Sequence, residues 1–256
     1  MSAAVELKVE FRDVSYRLPD GRAILEHLSI AVQTGEILVL LGRSGSGKTT
    51  ALKLVNRLVE QSSGDILVEG RSTRDWDIMS LRRHIGYAIQ EIGLFPHFTI
   101  ARNIGIVPEI ERWPKERIQG RVQELLKLVG LSDGIASRYQ HQLSGGQRQR
   151  VGVARALAAD PPILLMDEPF GALDPLTRSG LQREFLSLQQ KLGKTVLFVT
   201  HDLNEALLLG TRIALLEQGR LVSLTSPKEF LSSSEPLVAK YVVAFAGSFE
   251  NARGTP

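Results

Sequence analysis

The sequence contains no cysteine. Disulfides, thiolate zinc sites and cysteine nucleophiles are therefore excluded, and the composition suits a reducing compartment. Nowhere do about 18 apolar residues run together, the length that a membrane-spanning helix requires. The longest apolar stretches, Ile37–Leu41 and Ile163–Met166, have the length of strands. The opening MSAAVELKVEFRDVSY mixes charges into a short apolar alternation and lacks the hydrophobic region of a secretory signal. The chain is thus expected not to cross a bilayer by itself. An excess of one charge sign is missing too. With 31 Lys+Arg against 28 Asp+Glu, the net charge of +3 is too small to point to nucleic acid or an anionic membrane surface. Internal repeats and low-complexity tracts are absent.

What remains is an ordinary globular composition of 256 residues, 43% hydrophobic and 23% charged, enough for one large domain or two small ones with a buried core. Val5, Leu7, Val9 and Phe11 alternate with polar residues as in a half-buried strand, and Pro19-Asp20-Gly21 signals a turn before a second strand at Ile24–Val32. Three continuous apolar runs, Ile37–Leu41, Ile163–Met166 and Thr195–Val199, read as strands covered on both faces, the pattern of a parallel sheet. Between them lie helical patterns. Val122, Leu125, Leu126 and Val129 recur at helical spacing before Gly130, and Leu181–Leu192 does so before Gly193. The alternation predicts an α/β fold. Residues 91–160 lack a buried-strand signal and read as a helical subdomain inserted into the α/β core. The small, polar residues from Ser248 onward read as a flexible tail.

Gly42-Arg43-Ser44-Gly45-Ser46-Gly47-Lys48-Thr49 matches G-x-x-x-x-G-K-S/T, directly after an apolar strand and before a helical stretch from Thr50 to Leu58. Glycines let such a loop curl so that backbone N–H groups converge on phosphate oxygens at the positive end of the helix. Lys48 would reach the β- and γ-phosphates, and the Thr49 hydroxyl would ligate Mg²⁺. A chance glycine-rich turn would not have the strand, the motif and the helix in register.

Ile163–Met166 ends in Asp167-Glu168. In open α/β sheets, ligands bind at the carboxyl ends of the strands. Asp167 suits a direct or water-mediated hold on Mg²⁺, and Glu168 can polarise an attacking water. His201 follows the third apolar run and so belongs to the same rim, whereas His27, His84, His97 and His141 read as ordinary surface or packing residues. Leu143-Ser144-Gly145-Gly146-Gln147 opens a further helix, Arg148–Ala158, and makes a second glycine-rich anion site. One γ-phosphate does not need two such sites in a single chain; two facing copies of the chain do.

The LSGGQ sequence, followed by Asp167-Glu168 and preceded by the phosphate loop, resembles the ATP-binding subunits of ABC transporters over residues 5 to about 245. The resemblance implies a P-loop NTPase (RecA-like) core with an antiparallel β subdomain and an inserted helical subdomain, in one domain over residues 1–247. It implies a head-to-tail homodimer with two ATP molecules, each held between Gly42–Thr50 of one copy and Ser144, Gly145, Gly146 and Gln147 of the other. Gln90 matches the Q-loop glutamine that contacts Mg²⁺ and senses the transmembrane partner. Ala172-Leu173-Asp174 matches the D-loop and His201 the switch histidine at the γ-phosphate. The family's adenine-stacking aromatic sits four residues after the position of Val14, which here is Leu18. Tyr16, two residues earlier, takes its face in an extended segment.

Softer likenesses point to importers of osmoprotectants or quaternary amines such as glycine betaine, choline or carnitine. They lie in Asn56-Arg57-Leu58, Leu81–Tyr87, Ile92–Thr99, Trp113-Pro114 and Pro161–Pro175. Implied partners are transmembrane permease subunits and, through them, a substrate-binding protein. Implied residence is the cytoplasmic face of the inner or plasma membrane. The CBS modules that many such subunits carry are not expected in the short stretch after Phe245. An importer of another solute, an exporter, a non-transport ABC ATPase and a P-loop kinase are the alternatives. The kinase has no use for LSGGQ, and the DNA- or ribosome-directed ATPases usually carry a coiled-coil insertion or two ATPase units.

Overall fold

The computed structural model describes residues 6–90, 93–171 and 173–253, with side chains described as far as residue 245. Val5, Ile92 and Ala172 of the motifs above lie outside the described residues. In chain order the elements begin with β1 (Leu7–Arg17), β2 (Ala23–Gln33), β3 (Ile37–Leu41), α1 (Lys48–Val55), β4 (Ser63–Val68) and β5 (Arg71–Ser72). Next come α2 (Ile78–His84), β6 (Ile85–Ala88), α3 (Ile100–Ile110), α4 (Lys115–Leu128), α5 (Gly145–Leu157) and β7 (Ile163–Asp167). The chain continues with α6 (Pro175–Leu192), β8 (Thr195–Thr200), α7 (Leu203–Leu209), β9 (Arg212–Glu217), β10 (Arg220–Thr225), α8 (Pro227–Leu231) and α9 (Pro236–Arg253). It divides into two compact units, one running to Asp75 and resuming at Leu197, the other spanning Trp76–Val196.

The first unit holds an antiparallel sheet of order β2-β1-β4-β5. The predicted alternation from residue 5 continues to Arg17, burying Val9, Phe11 and Val14. The strand is irregular in the middle: its register on β2 shifts between Phe11 and Val14, and Asp13 takes a left-handed φ of 52°. β3 is buried at all five positions, as its unbroken apolar run requires, and pairs in parallel with β9 from Leu38↔Arg212 to Leu41↔Leu215. At the start of β3, the buried Glu36 carboxylate receives two hydrogen bonds from Arg212, at 2.5 and 2.9 Å, and one from the Gln33 N–H at 2.7 Å. Arg212 also donates to the Ala31 carbonyl, so one ion pair ties β2, β3 and β9 together.

Two helix bounds differ from the sequence expectation. α1 stops at Val55, not Leu58, because Asn56 caps it and Arg57 turns left-handed at φ 50°. There the Arg57 guanidinium donates to the Thr73 carbonyl at 3.1 Å. α9 continues to Arg253, so Ser248–Arg253 extend the helix where composition suggested a separate tail.

In the second unit β6 runs parallel to β7, from Ile85↔Ile163 to Ala88↔Met166. β6 escaped the sequence reading because four residues are too few to show a period. A Cβ on Gly86 would stand 2.2 Å from the Ala156 carbonyl oxygen, so only glycine lets β6 pass this close to α5. Between β6 and β7 the named elements of the described residues are helical. α4 buries Val122, Leu125 and Leu126 as its spacing predicts, with Gly130 left-handed just past its end. α6 starts six residues before Leu181, since Asp174 caps it and Pro175 fills its first turn. Among the described residues no helix is long and apolar enough to cross a membrane.

Removing one member of a buried ion pair strands the other. Glu36→Ala is expected to lower the free energy of urea unfolding by about 3 kcal/mol. The double variant Glu36→Ala/Arg212→Met is expected to recover most of that loss.

Candidate nucleotide-binding site

In the first unit the phosphate loop leaves the end of β3 with an exposed tip, Arg43-Ser44-Gly45, and then buries Ser46, Gly47 and Lys48. Gly45 and Gly47 have φ of 81° and 97°. A Cβ on Gly47 would lie 2.8 Å from the Ile24 carbonyl oxygen and 2.6 Å from Leu25 Cδ2, and one on Gly42 would lie 2.3 Å from the Leu216 carbonyl oxygen. The loop is therefore seated on backbone at both of its ends. Lys48 is 5% exposed, and its Nζ donates to the carbonyls of Gly42 at 2.7 Å and Arg43 at 2.8 Å, stapling the loop from within. Gly47 stands at the N-cap of α1 and offers no side-chain cap, so the positive end of the helix dipole adjoins the loop.

Two observations fit this loop to a bound phosphate. The glycines at 42 and 47 let the loop turn tightly against backbone that a Cβ would strike, and the Ser46 hydroxyl is buried with no hydrogen-bond partner in the protein. Thr49 and Thr50 stand half-buried on the first turn of α1. Tyr16 is half-buried on β1 and pairs in the ladder with Leu25, the residue lying over Gly47. Leu18, two residues on, is also half-buried. His201, also in this unit, is exposed just after β8. Its turn is held by a buried 2.6 Å bond from the Thr200 hydroxyl to Glu205 and a 3.0 Å bond from the Asp202 N–H to Thr200.

In the second unit β7 delivers Asp167, 2% exposed, and then the half-buried Glu168. The Tyr87 hydroxyl on β6 hydrogen-bonds Asp167; burial first, and then the neighbouring carboxylate charge, hold this phenol protonated far above its ordinary range. Glu168 has a left-handed φ of 47°, a conformation that costs a non-glycine residue about 1–3 kcal/mol. Its carbonyl accepts from Gln149 Nε2 at 3.0 Å and from the Gly171 N–H at 3.2 Å. Neither Tyr87 nor Gln149 was singled out as a site residue from the sequence. The signal for Gln149 was a polar residue amid the buried Val151, Val153 and Ala154 of α5.

Ser144 is the exposed N-cap of α5: its hydroxyl oxygen accepts from the Gln147 N–H at 3.2 Å, and Gln147 Oε1 accepts from the Ser144 N–H at 3.0 Å. Gln147 is thereby committed to the capping box, while the Ser144 O–H and the Gly145 and Gly146 N–H groups head the helix. Gln90 is exposed just past β6. Asp174 caps α6 by accepting from the Thr177 N–H at 3.0 Å, and its bonds to Thr177 hold its carboxyl below the usual range. The loop after Gln90 is pinned by the fully buried Asn103, which accepts from the Phe95 N–H and donates to the carbonyls of Phe95, Phe98 and Thr99. Phe95 is thereby held 41% exposed. Among the described residues no group of three His, Asp or Glu side chains could hold a metal alone.

The phosphate loop, the acidic strand end and the Ser144 helix start recur together in one group of proteins, and residues 25–171 match the ABC transporter family. The chain belongs to the ABC transporter family. Over 225 residues, 88% of its length, it is 50% identical to the glycine betaine/carnitine/choline transport ATP-binding protein OpuCA of Bacillus subtilis, and spans 59% of that protein. It is also 50% identical over 224 residues to the glycine betaine uptake system ATP-binding protein YehX of Escherichia coli, of which it spans 72%. Among solved structures, this ABC chain superposes on the dimeric ATP-binding cassette MJ0796 in a post-hydrolysis state with ADP and Pi. That match has a TM-score of 0.79 and 33% identity, and covers 86% of this chain and 98% of the other. The fold is accordingly the α/β P-loop NTPase fold of ABC cassettes.

The seat under Gly47 leads to a direct expectation. Gly47→Ala, which meets backbone and a left-handed φ together, should raise the Kd for a fluorescent ATP analogue more than tenfold. Gly45→Ala, left-handed but in open space, should weaken binding less.

Proposed function

We propose that the chain is the ATP-hydrolysing subunit of an ABC importer, acting as one ATPase domain over residues 1–247 with the helical subdomain at about 91–160. The observation that carries this reading is the presence, in one chain, of a seated phosphate loop and of a second glycine-rich helix start headed by the exposed Ser144. Two copies facing head to tail would complete two sites, each with a phosphate loop from one copy and a signature helix from the other. The dimeric cassette structures to which the chain is similar support that arrangement.

In this reading, Gly42–Thr50 bind the phosphates of ATP through backbone N–H groups and the α1 dipole, and Tyr16 meets the adenine. Thr49, Gln90 and Asp167 hold Mg²⁺, which when bound offsets charge on the β- and γ-phosphates. Glu168 orients and deprotonates the attacking water. Lys48, His201 and the partner copy's signature serine stabilise charge on the transferring phosphoryl group. Asp174 lies at the dimer seam. Dimer closure and opening would drive permease subunits through the loop from Gln90 to Pro96, and Phe95, presented by Asn103, is the apolar group best set for that contact. The subunit would sit on the cytoplasmic face of the membrane by way of the permease, with no nucleic-acid role. A substrate-binding protein would supply the solute.

The solute is proposed to be an osmoprotectant or quaternary amine such as glycine betaine, choline or carnitine, on the strength of relatives whose names state those cargoes. Uptake of radiolabelled glycine betaine or choline under salt stress, lost when the gene is deleted, is the result expected. Unchanged uptake of both would overturn the solute assignment.

Glu168→Gln is expected to keep ATP binding and lower hydrolysis by about 100-fold or more, trapping a dimer on size exclusion in ATP. Turnover at the wild-type rate in that variant would remove Glu168 from its role.

A further inference from the structure

Glu168 stands on a strained backbone, and the strain needs a counterweight. Its φ is 47°, it is not glycine, and its carbonyl is turned back to accept two hydrogen bonds. One comes from the Gly171 N–H, a bond of the local turn that any sequence following the same path would make. The other is a side-chain bond from Gln149, which lies 6% exposed on α5, nineteen residues back in the chain. Buried amides on helix faces otherwise cost free energy unless they are bonded, so Gln149 has a specific task on this face. The carboxylate of Glu168 lies close by: a Cβ built on Gly171 would stand 3.9 Å from Glu168 Oε2. The carbonyl and the carboxylate of Glu168 thus both stand beside the turn at Gly171. α5 is also the helix that begins with Ser144, so the tether joins the signature helix to the acidic strand end within one unit.

We propose that Gln149 is a positioning residue for Glu168: its Nε2–H bond to the Glu168 carbonyl holds that residue's left-handed backbone and sets the direction of the carboxylate. The inference rests on the reading of Glu168 as the group that activates water. It assigns no contact between Gln149 and ATP, so nucleotide affinity should not depend on it.

The test compares the purified full chain with Gln149→Leu, which removes the donor, and Gln149→Glu, which keeps the shape but not the N–H. For both variants, kcat for ATP hydrolysis is expected to fall by roughly tenfold to a hundredfold, the range that misplaced catalytic groups show, with KM for ATP within about twofold of wild type. Added to Glu168→Gln, Gln149→Leu should cost nothing further, because a residue acting through Glu168 has nothing left to position. For Gln149→Glu, the rate relative to wild type should rise as pH falls from about 8 to 6, since burial raises the introduced carboxyl's pKa and the protonated acid donates again. Amide hydrogen exchange across Pro169–Leu173 should speed up in Gln149→Leu, whether or not ATP is turned over. If wild type hydrolyses no ATP, the proposed function fails and the exchange result alone decides the tether. A wild-type kcat in Gln149→Glu throughout pH 6 to 8 together with one in Gln149→Leu, an equal loss in the Glu168→Gln background, or unchanged exchange would each overturn the proposal. Should Gln149→Leu fail to fold, the isosteric Gln149→Glu decides.

Discussion

At Gly47 the phosphate loop has no room for a side chain, and much of the nucleotide chemistry follows from that closeness. The Cα sits against the Ile24 carbonyl and Leu25 of β2 with a left-handed φ. This lets the chain turn from loop into α1 with no side-chain cap in front of the helix. A helix start without a side-chain cap leaves the positive end of its dipole open to an anion. Lys48, Ser46 and Thr49 take their places from the same turn, Lys48 by bonding the loop's own carbonyls and Ser46 by being buried without a partner. The loop's seat depends in turn on β3, whose five buried apolar residues and Glu36–Arg212 anchor hold the strand from which the loop departs.

Most other described helices close their starts with side chains, α4 after Pro114 being an exception. Asp77, Thr99, Asp174, Asp202 and Ser226 cap their helices by accepting backbone N–H bonds. Ser144 does both jobs. Its oxygen completes a capping box with Gln147 while its O–H and the following glycine N–H groups stay on the exposed end of α5. Gln147 therefore serves the helix first, and any role at a nucleotide falls to the groups beside it. Asp174 is likewise a cap before it is anything else.

Buried polar bonds add to the apolar core of the second unit. Tyr87 holds Asp167, Gln149 holds the Glu168 carbonyl, and Asn103 gathers four backbone groups of the loop that presents Phe95. Each bond is strong because it lies out of water, and each would be costly to leave unmade. Such bonds permit one arrangement where an apolar contact would permit several.

Much of this protein was determined by local sequence. The strand-length apolar runs, the phosphate loop, the Asp167-Glu168 pair and the Ser144 helix start were legible because each is a short-range pattern: apolar period, glycine spacing, capping residue. The family followed from their combination. Bounds were less legible. Periodicity extends α1 to Leu58 although Arg57 ends it, and passes over Pro175–Gly180 although Asp174 starts α6, since caps weigh single residues against a periodic average. What only the tertiary structure decided were the pairings across distance: Leu25 over Gly47, Glu36 with Arg212, Tyr87 with Asp167, and Gln149 with Glu168. Periodicity says which face of a helix or strand is buried; it does not say which polar atom meets which, because hydrogen-bond partners are chosen by the register of elements far apart in the chain.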